Sequence, residues 1–193
     1  MKTFDEYVEL AQMAHGHICA GQILGLRMAI YGMKLLAIDD PAGKDRKRLV
    51  SFVEIDRCAT DAVSVVTGCR LGKRALKFRD FGKVAATFCD LVELRSVRIV
   101  AKESSKQRAR ELYPQVENKN AQQMQAYREM PEEELFDVQW VRVVLGPEEF
   151  PGYKSERVVC EECREGINFK REVLRDGKVL CKACAGERYY EPL

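Results

Sequence analysis

Two Cys-x2-Cys pairs, Cys160/Cys163 and Cys181/Cys184, are separated by 17 residues and constrain the end of this chain more than any other feature. A two-residue gap lets both thiolates of a knuckle face one ion while the amides of the turn hydrogen-bond the sulfurs. Two such knuckles complete the tetrahedral thiolate shell that zinc accepts. Between them FKREVLRDGKVL holds Asp176-Gly177, a hairpin-turn pair flanked by short alternating runs. A segment of about 30 residues cannot bury enough apolar surface to fold unaided, so the metal supplies the folding energy. The tail is therefore expected to be a zinc ribbon with Cys160, Cys163, Cys181 and Cys184 as ligands of a structural Zn2+.

Charge narrows what such a ribbon does. From residue 155 to 193 there are eight Lys/Arg and eight Asp/Glu, which cancel, and a zinc tetrathiolate adds about two negative charges. The whole chain carries only +2, from 32 basic and 30 acidic side chains. Without a positive field the nonspecific attraction to phosphate is missing, so nucleic acid is disfavoured as a partner and a docking or dimer-bracing role is favoured. The apolar fraction of 46% is enough to fill a real core. No signal-peptide core opens the chain, and the stretch 18–38 is broken by Gln22, Arg27 and Lys34, so no membrane span is expected. A cytoplasmic protein is expected, in which cysteines serve as ligands, nucleophiles or core residues rather than as disulfides.

The remaining four cysteines and both histidines lie in the first 90 residues. His15-Gly16-His17-Ile18-Cys19 gathers three soft-metal ligands in five positions, and AGQILGLRMAIYGMKLL then reads as a largely buried helix beginning at Cys19 or Ala20. At a helix start the dipole and unpaired amides favour a thiolate at Cys19. Residues 49–55 read as a strand, and Thr60 or Asp61 can cap a short helix that Gly68 ends. Residues 76–79, 84–89 and 92–100 read as an antiparallel meander, with a last strand over 135–145. Cys58 falls in the strand-to-helix turn. With a helix between them, Cys58 and Cys69 are on the order of 10–16 Å apart and cannot share an ion within one protomer. His17, Cys19, Cys58 and His15 therefore form the candidate second metal site. Cys69 is structural or reaches across a dimer interface, and Cys89 belongs to the core.

HGHICAGQILGLRM followed by CATDAVSVVTGCRLG and DFGKVAATF resembles the family of the E-type component of formylmethanofuran dehydrogenase over about residues 10–145. Members carry Pro after the motif cysteine where this chain has Ala20, and alanine keeps the helix. The resemblance implies an α+β fold, a mixed or antiparallel sheet flanked by helices, followed by the small ribbon. It also implies a homodimer and a metal-associated cleft around the His/Cys motif. The domains are expected at 1–146 and 155–193, joined by a linker over 147–154. On this basis the chain is expected to be a metal-binding accessory protein or a metal-dependent enzyme of one-carbon, formylmethanofuran-type or molybdopterin-linked metabolism. Its second ion would again be Zn2+, with Cys19, Cys58, Asp61 and Lys83 as candidate catalytic groups and Asp61 as the general base. Two other readings stand beside it: a non-catalytic interaction subunit whose ribbon docks a protein partner, and a nucleic-acid-binding regulator. Arg95, Arg98, Lys102, Lys106, Arg108 and Arg110, opposed mainly by Glu103, could receive an anionic ligand or acidic partner.

Overall fold

Thr3 and Glu6 start the first helix by bonding to each other's backbone: the Glu6 amide donates to Thr3 Oγ1 at 3.3 Å and the Thr3 amide to Glu6 Oε2 at 2.7 Å. This capping box opens α1 (Phe4–His15), an element additional to those expected from the sequence. Gly16 closes it at φ +89°, a conformation that costs glycine little. In this computed structural model, which describes residues 1–191 and 193, the chain divides into two units, Met1–Val144 and Leu145–Leu193. No helix among the described residues is long and apolar enough to cross a membrane.

The first unit is α+β. After α1 come α2 (Ala20–Leu36), β1 (Leu49–Val53), α3 (Cys58–Thr67), β2 (Leu76–Phe78), β3 (Ala85–Asp90) and β4 (Arg95–Ala101). Three helices follow, α4 (Ser104–Leu112), α5 (Lys119–Glu129) and the short α6 (Glu132–Leu135), and β5 (Phe136–Val141) ends the unit. The sheet is mixed, in the order β2-β1-β3-β4-β5. β2 runs parallel to β1 at the edge, and the remaining pairs are antiparallel. The expected meander of β2, β3 and β4 is thus corrected: β1 lies between β2 and β3, because the α3 crossover returns the chain parallel to β1 on its far side. β4 begins at Arg95 rather than at residue 92. Asp90 Oδ1 accepts the amides of Val92 and Glu93 and folds residues 91–94 into a turn. The last strand stops at Val141.

One face of the sheet packs beneath α2. Leu49, Val53, Ala86, Phe88, Val97, Ile99 and Phe136 join Ile23, Leu26, Met28, Met33 and Leu36 in one buried cluster. Two glycines of α2 make close approaches: a Cβ on Gly32 would meet the Phe88 ring at 2.4 Å, and one on Gly25 would meet Ala59 O at 2.6 Å. α2 and α3 are therefore in backbone contact. The opposite face of the sheet carries a buried ion pair. Arg98 donates to Glu54 Oε1 and Oε2, both at 2.6 Å, and to Gln139 Oε1 at 3.0 Å.

Five of the six basic side chains of the stretch expected to receive an anionic ligand or acidic partner are engaged by other groups of the protein. Arg98 is taken by Glu54, Lys102 by Asp137 at 3.4 Å, Lys106 by Glu103 at 2.6 Å and Arg108 by Glu134 at 3.0 Å. Arg95 donates to the Leu36 carbonyl at 3.3 Å. Most of these partners come from other elements, so the charge balance within the segment itself was a poor guide.

The second unit has two small antiparallel pairs, β6 (Val158–Val159) with β7 (Gly166–Ile167) and β8 (Val173–Arg175) with β9 (Lys178–Leu180). Asp176 and Gly177 both have positive φ, 51° and 76°, which is the two-residue hairpin turn expected from their pairing in the sequence.

Candidate metal centres

Each knuckle of the tail sits where a short strand ends. Cys160 follows β6 and Cys181 follows β9, so both enter tight turns whose amides point back at sulfur. The Cys181 amide donates to Cys160 Sγ at 3.2 Å and the Cys184 amide to Cys181 Sγ at 3.4 Å. The ligand atoms of Cys160, Cys163, Cys181 and Cys184 all lie within 4.8 Å of one another. A zinc–sulfur bond of about 2.3 Å makes the edge of a regular tetrahedron about 3.8 Å. Cys163 Sγ and Cys181 Sγ are 3.8 Å apart.

The donor set fits the same ion electrostatically. The Cys181 amide on its sulfur holds Cys160 down at about 6, whereas burial and then the neighbouring thiols push Cys184 up to about 12. Four thiols this close cannot all ionise unless a cation is shared among them, and a divalent ion satisfies that requirement. These residues fit a structural zinc.

In the first unit the His/Cys motif is the connection between two helices. His15 ends α1, Gly16 turns the chain, and Cys19 is the N-cap of α2 without a side-chain cap bond. Cys58 is the first residue of α3, with Arg57 as N-cap. This corrects its placement in the turn and the expected capping by Thr60 or Asp61: Thr60 instead donates its hydroxyl to the Ile55 carbonyl, and the helix begins three to four residues early. The missing side chain at Gly21 lets α3 close over the motif, since a Cβ there would lie 3.3 Å from Cys58 Cβ and 3.8 Å from Cys19 Sγ. Burial, and then the neighbouring Cys19 thiol, push the Cys58 thiol above its ordinary value.

The histidines complete the cluster. His15 Nδ1 is 2.8 Å from Asp61 Oδ2, and the rings of His15 and His17 are 4.7 Å apart between centroids. Asp61 is therefore paired to an imidazole rather than standing free as a general base. Lys83 is exposed in the loop before β3, and its amide donates to the Glu54 carbonyl at 3.2 Å. Among the described residues, no hydrogen bond or ion pair joins Lys83 to the His/Cys cluster. Cys69 is 2% exposed and packs against Ser51 Oγ at 3.5 Å and the Leu49 carbonyl, inside the core of its own protomer. Cys89 is likewise buried.

Two polar anchors were not legible in the sequence. The Ala20 amide, next to Cys19, donates to Asn120 Oδ1 at 2.9 Å. Arg27 donates to the carbonyls of Tyr127, Arg128 and Met130, each at 2.8 Å. Both anchors join α2 to α5 over about a hundred positions, and no local pattern marks them. The first unit's ligand atoms also close less tightly than those of the tail: among the described residues, only the four-cysteine group brings three or more His, Cys, Asp or Glu ligand atoms within 4.8 Å of one another.

The family described as FmdE, molybdenum formylmethanofuran dehydrogenase operon, matches residues 14–137, more than half of the chain. The chain belongs to the FmdE family. That match covers the His/Cys motif, α3, β1 to β4 and α5. A second family, the prokaryotic dksA/traR C4-type zinc finger, matches residues 152–190. This FmdE-family chain is 34% identical over 203 residues to a probable S-adenosyl-L-methionine-binding protein of Archaeoglobus fulgidus. The alignment covers 93% of this chain and 52% of that protein, so the chain spans about half the length of its curated relative. The fold is also that of a tungsten formylmethanofuran dehydrogenase FmdE-like protein from Syntrophus aciditrophicus. The TM-score is 0.66 at 22% identity, covering 98% of this chain and 96% of the other.

Proposed function

We propose that this FmdE-family protein binds a second metal ion, most simply Zn2+, at the α1–α2 connection, and that it serves as a metal-dependent accessory protein of one-carbon chemistry. The observation that carries this reading is the His15–Asp61 pair. With Nδ1 held by a carboxylate, Nε2 is the ring nitrogen left to face an ion, the usual way a ligating histidine is oriented. His17, Cys19 and Cys58 supply the other donors from the same turn and from the first residue of α3. Their incomplete closure suits a centre with an open position, where a bound ion polarises a carbonyl or lowers the pKa of water.

Because Asp61 is engaged by His15, no free carboxylate of the motif is left to act as general base. That favours binding or delivery over hydrolysis. The archaeal relative, described by what it binds rather than by a reaction, points the same way. The homodimer and the ribbon-docked partner expected from the sequence belong to this reading as well.

Metal analysis of the purified protein tests it. Wild type should hold two equivalents of metal per chain and Cys58→Ala one, with the ribbon still loaded. One equivalent in both proteins would remove the second site. Titration calorimetry with S-adenosylmethionine then separates a cofactor-binding role from a metal-only one.

A further inference from the structure

The first knuckle of the tail is acidic around its sulfurs, whereas the second carries Lys182. Glu161 and Glu162 lie between the first pair of cysteines and Glu165 follows it. Four thiolates and one Zn2+ leave about two negative charges, so these carboxylates add to an existing excess. Glu161 is occupied elsewhere: its Oε1 accepts the Val179 amide at 2.8 Å, while its own amide donates to the Val179 carbonyl at 2.9 Å, pinning the first knuckle to β9.

Arg188 lies where that excess would be answered. Its Nε donates to the Ala183 carbonyl inside the second knuckle at 3.2 Å, and Nη2 is 3.8 Å from Glu162 Oε1 in the first. One planar, permanently charged group thus bonds a carbonyl of one knuckle and pairs with a carboxylate of the other, spanning both halves of the site.

The structure assigns Arg188 as the positioning residue of the zinc centre: it holds the two knuckles together and sets a fixed positive charge beside the tetrathiolate. Neither the cysteine spacing nor the zinc-finger family match names this residue. A cation beside a coordinating thiolate draws electron density from sulfur, which makes the thiolate a weaker nucleophile and a poorer site for protonation. A cation here therefore slows loss of the metal. Groups that orient metal ligands from outside the coordination shell typically change metal affinity by about 10–100-fold.

The test uses the full chain with Arg188→Met, which keeps the stem and loses the charge, and Arg188→Lys, which keeps the charge and loses the fork. Transfer of zinc to a chromogenic chelator should be roughly tenfold faster for Arg188→Met than for wild type, with Arg188→Lys between them. After cobalt substitution, the sulfur-to-metal charge-transfer bands of Arg188→Met should move to longer wavelength, because electron-richer thiolates are easier to oxidise. If Arg188→Met fails to retain metal through purification, Arg188→Gln provides the milder perturbation. It keeps a donor for the Ala183 carbonyl without the charge and should speed release by a smaller factor. Wild-type release rates in both Arg188→Met and Arg188→Gln would overturn the assignment. So would equal acceleration in Arg188→Met and Arg188→Lys with unshifted bands, which would reduce Arg188 to a packing residue.

Discussion

The two units of this chain hold themselves together by different means. In Met1–Val144 the core is a continuous apolar cluster drawn from helices and sheet alike, with Phe88, Met33 and Ile99 fully buried. Among the described residues of Leu145–Leu193 the buried apolar cluster comprises only Cys160, Ile167 and Leu180, and one of those three is a metal ligand. Burial at about 25 cal/mol per Å2 accounts for the first unit and cannot account for the second. The ribbon's stability resides in coordination bonds, so the two units should respond to different insults.

Removing the metal is the largest way to test that contrast. Cys160→Ser, or excess chelator on wild type, should abolish protection of the amides over 158–180 in hydrogen exchange, a loss on the order of 10 kcal/mol for that unit. The cooperative melting transition of the first unit should persist. A ribbon that keeps its protected amides without zinc would erase the distinction.

A smaller break goes through a charge in the first unit. Asp90, at the end of β3, is buried, and burial pulls its carboxyl upward. The Arg48 guanidinium on both oxygens and the amides of Val92 and Glu93 win, so the group ends below its ordinary value. A depressed carboxylate contributes stability that is fully present above its unfolded pKa of about 3.9 and is lost as pH falls through the folded value. Asp90→Asn should cost roughly 2–4 kcal/mol at neutral pH, less than a fully enclosed pair because Arg48 keeps some solvent contact. The variant should also flatten the stability profile below about pH 4, measured by urea unfolding across pH. An unchanged acid limb would remove Asp90 from the account. Metal content should not move.

The smallest test sharpens the geometry between α2 and α3. In Gly25→Ala the new methyl would meet Ala59 O at 2.6 Å, Ala59 Cα at 2.7 Å and Ala62 Cβ at 2.8 Å, so the helices must separate. Overpacking of this kind costs roughly 1–3 kcal/mol. Since Cys19 and Cys58 lie at the same helix ends, the Cys58→Ala comparison of metal content should be reproduced in part by Gly25→Ala. Full stoichiometry at the head of a destabilised Gly25→Ala protein would uncouple the helix contact from the site.

What the sequence made legible was local. The spacing of the four cysteines, the Asp176-Gly177 turn, the start of α2 at Ala20 and the Gly68 stop of α3 each depend on a few neighbouring residues, and each was readable. The readings that failed turned on side-chain partners that no spacing rule names. Residues 92–94 look like strand because Val92 and Leu94 are apolar, but the Asp90 side chain accepts the amides that a ladder would have used. Cys58 looks like a turn residue because Thr60 and Asp61 are good caps, yet Thr60 is drawn to the Ile55 carbonyl and Asp61 to His15. The basic run looks open because its carboxylates, Glu54, Glu134 and Asp137, arrive from other elements.

The tie between α2 and α5 has a consequence for order in time. α5 buries only Gln122, Ala126 and Tyr127, too little to hold an eleven-residue helix by itself. Its beginning is capped locally by Asn118, but Asn120 is tied to the Ala20 amide and the last carbonyls are taken by Arg27, so its C-terminal end is finished by a group on a helix about a hundred residues earlier. During synthesis α2 emerges long before α5 and must wait with a charged guanidinium facing no acceptor. The first unit can then close only when residue 130 has left the ribosome, and a chain released before that point should remain open to proteases along α2.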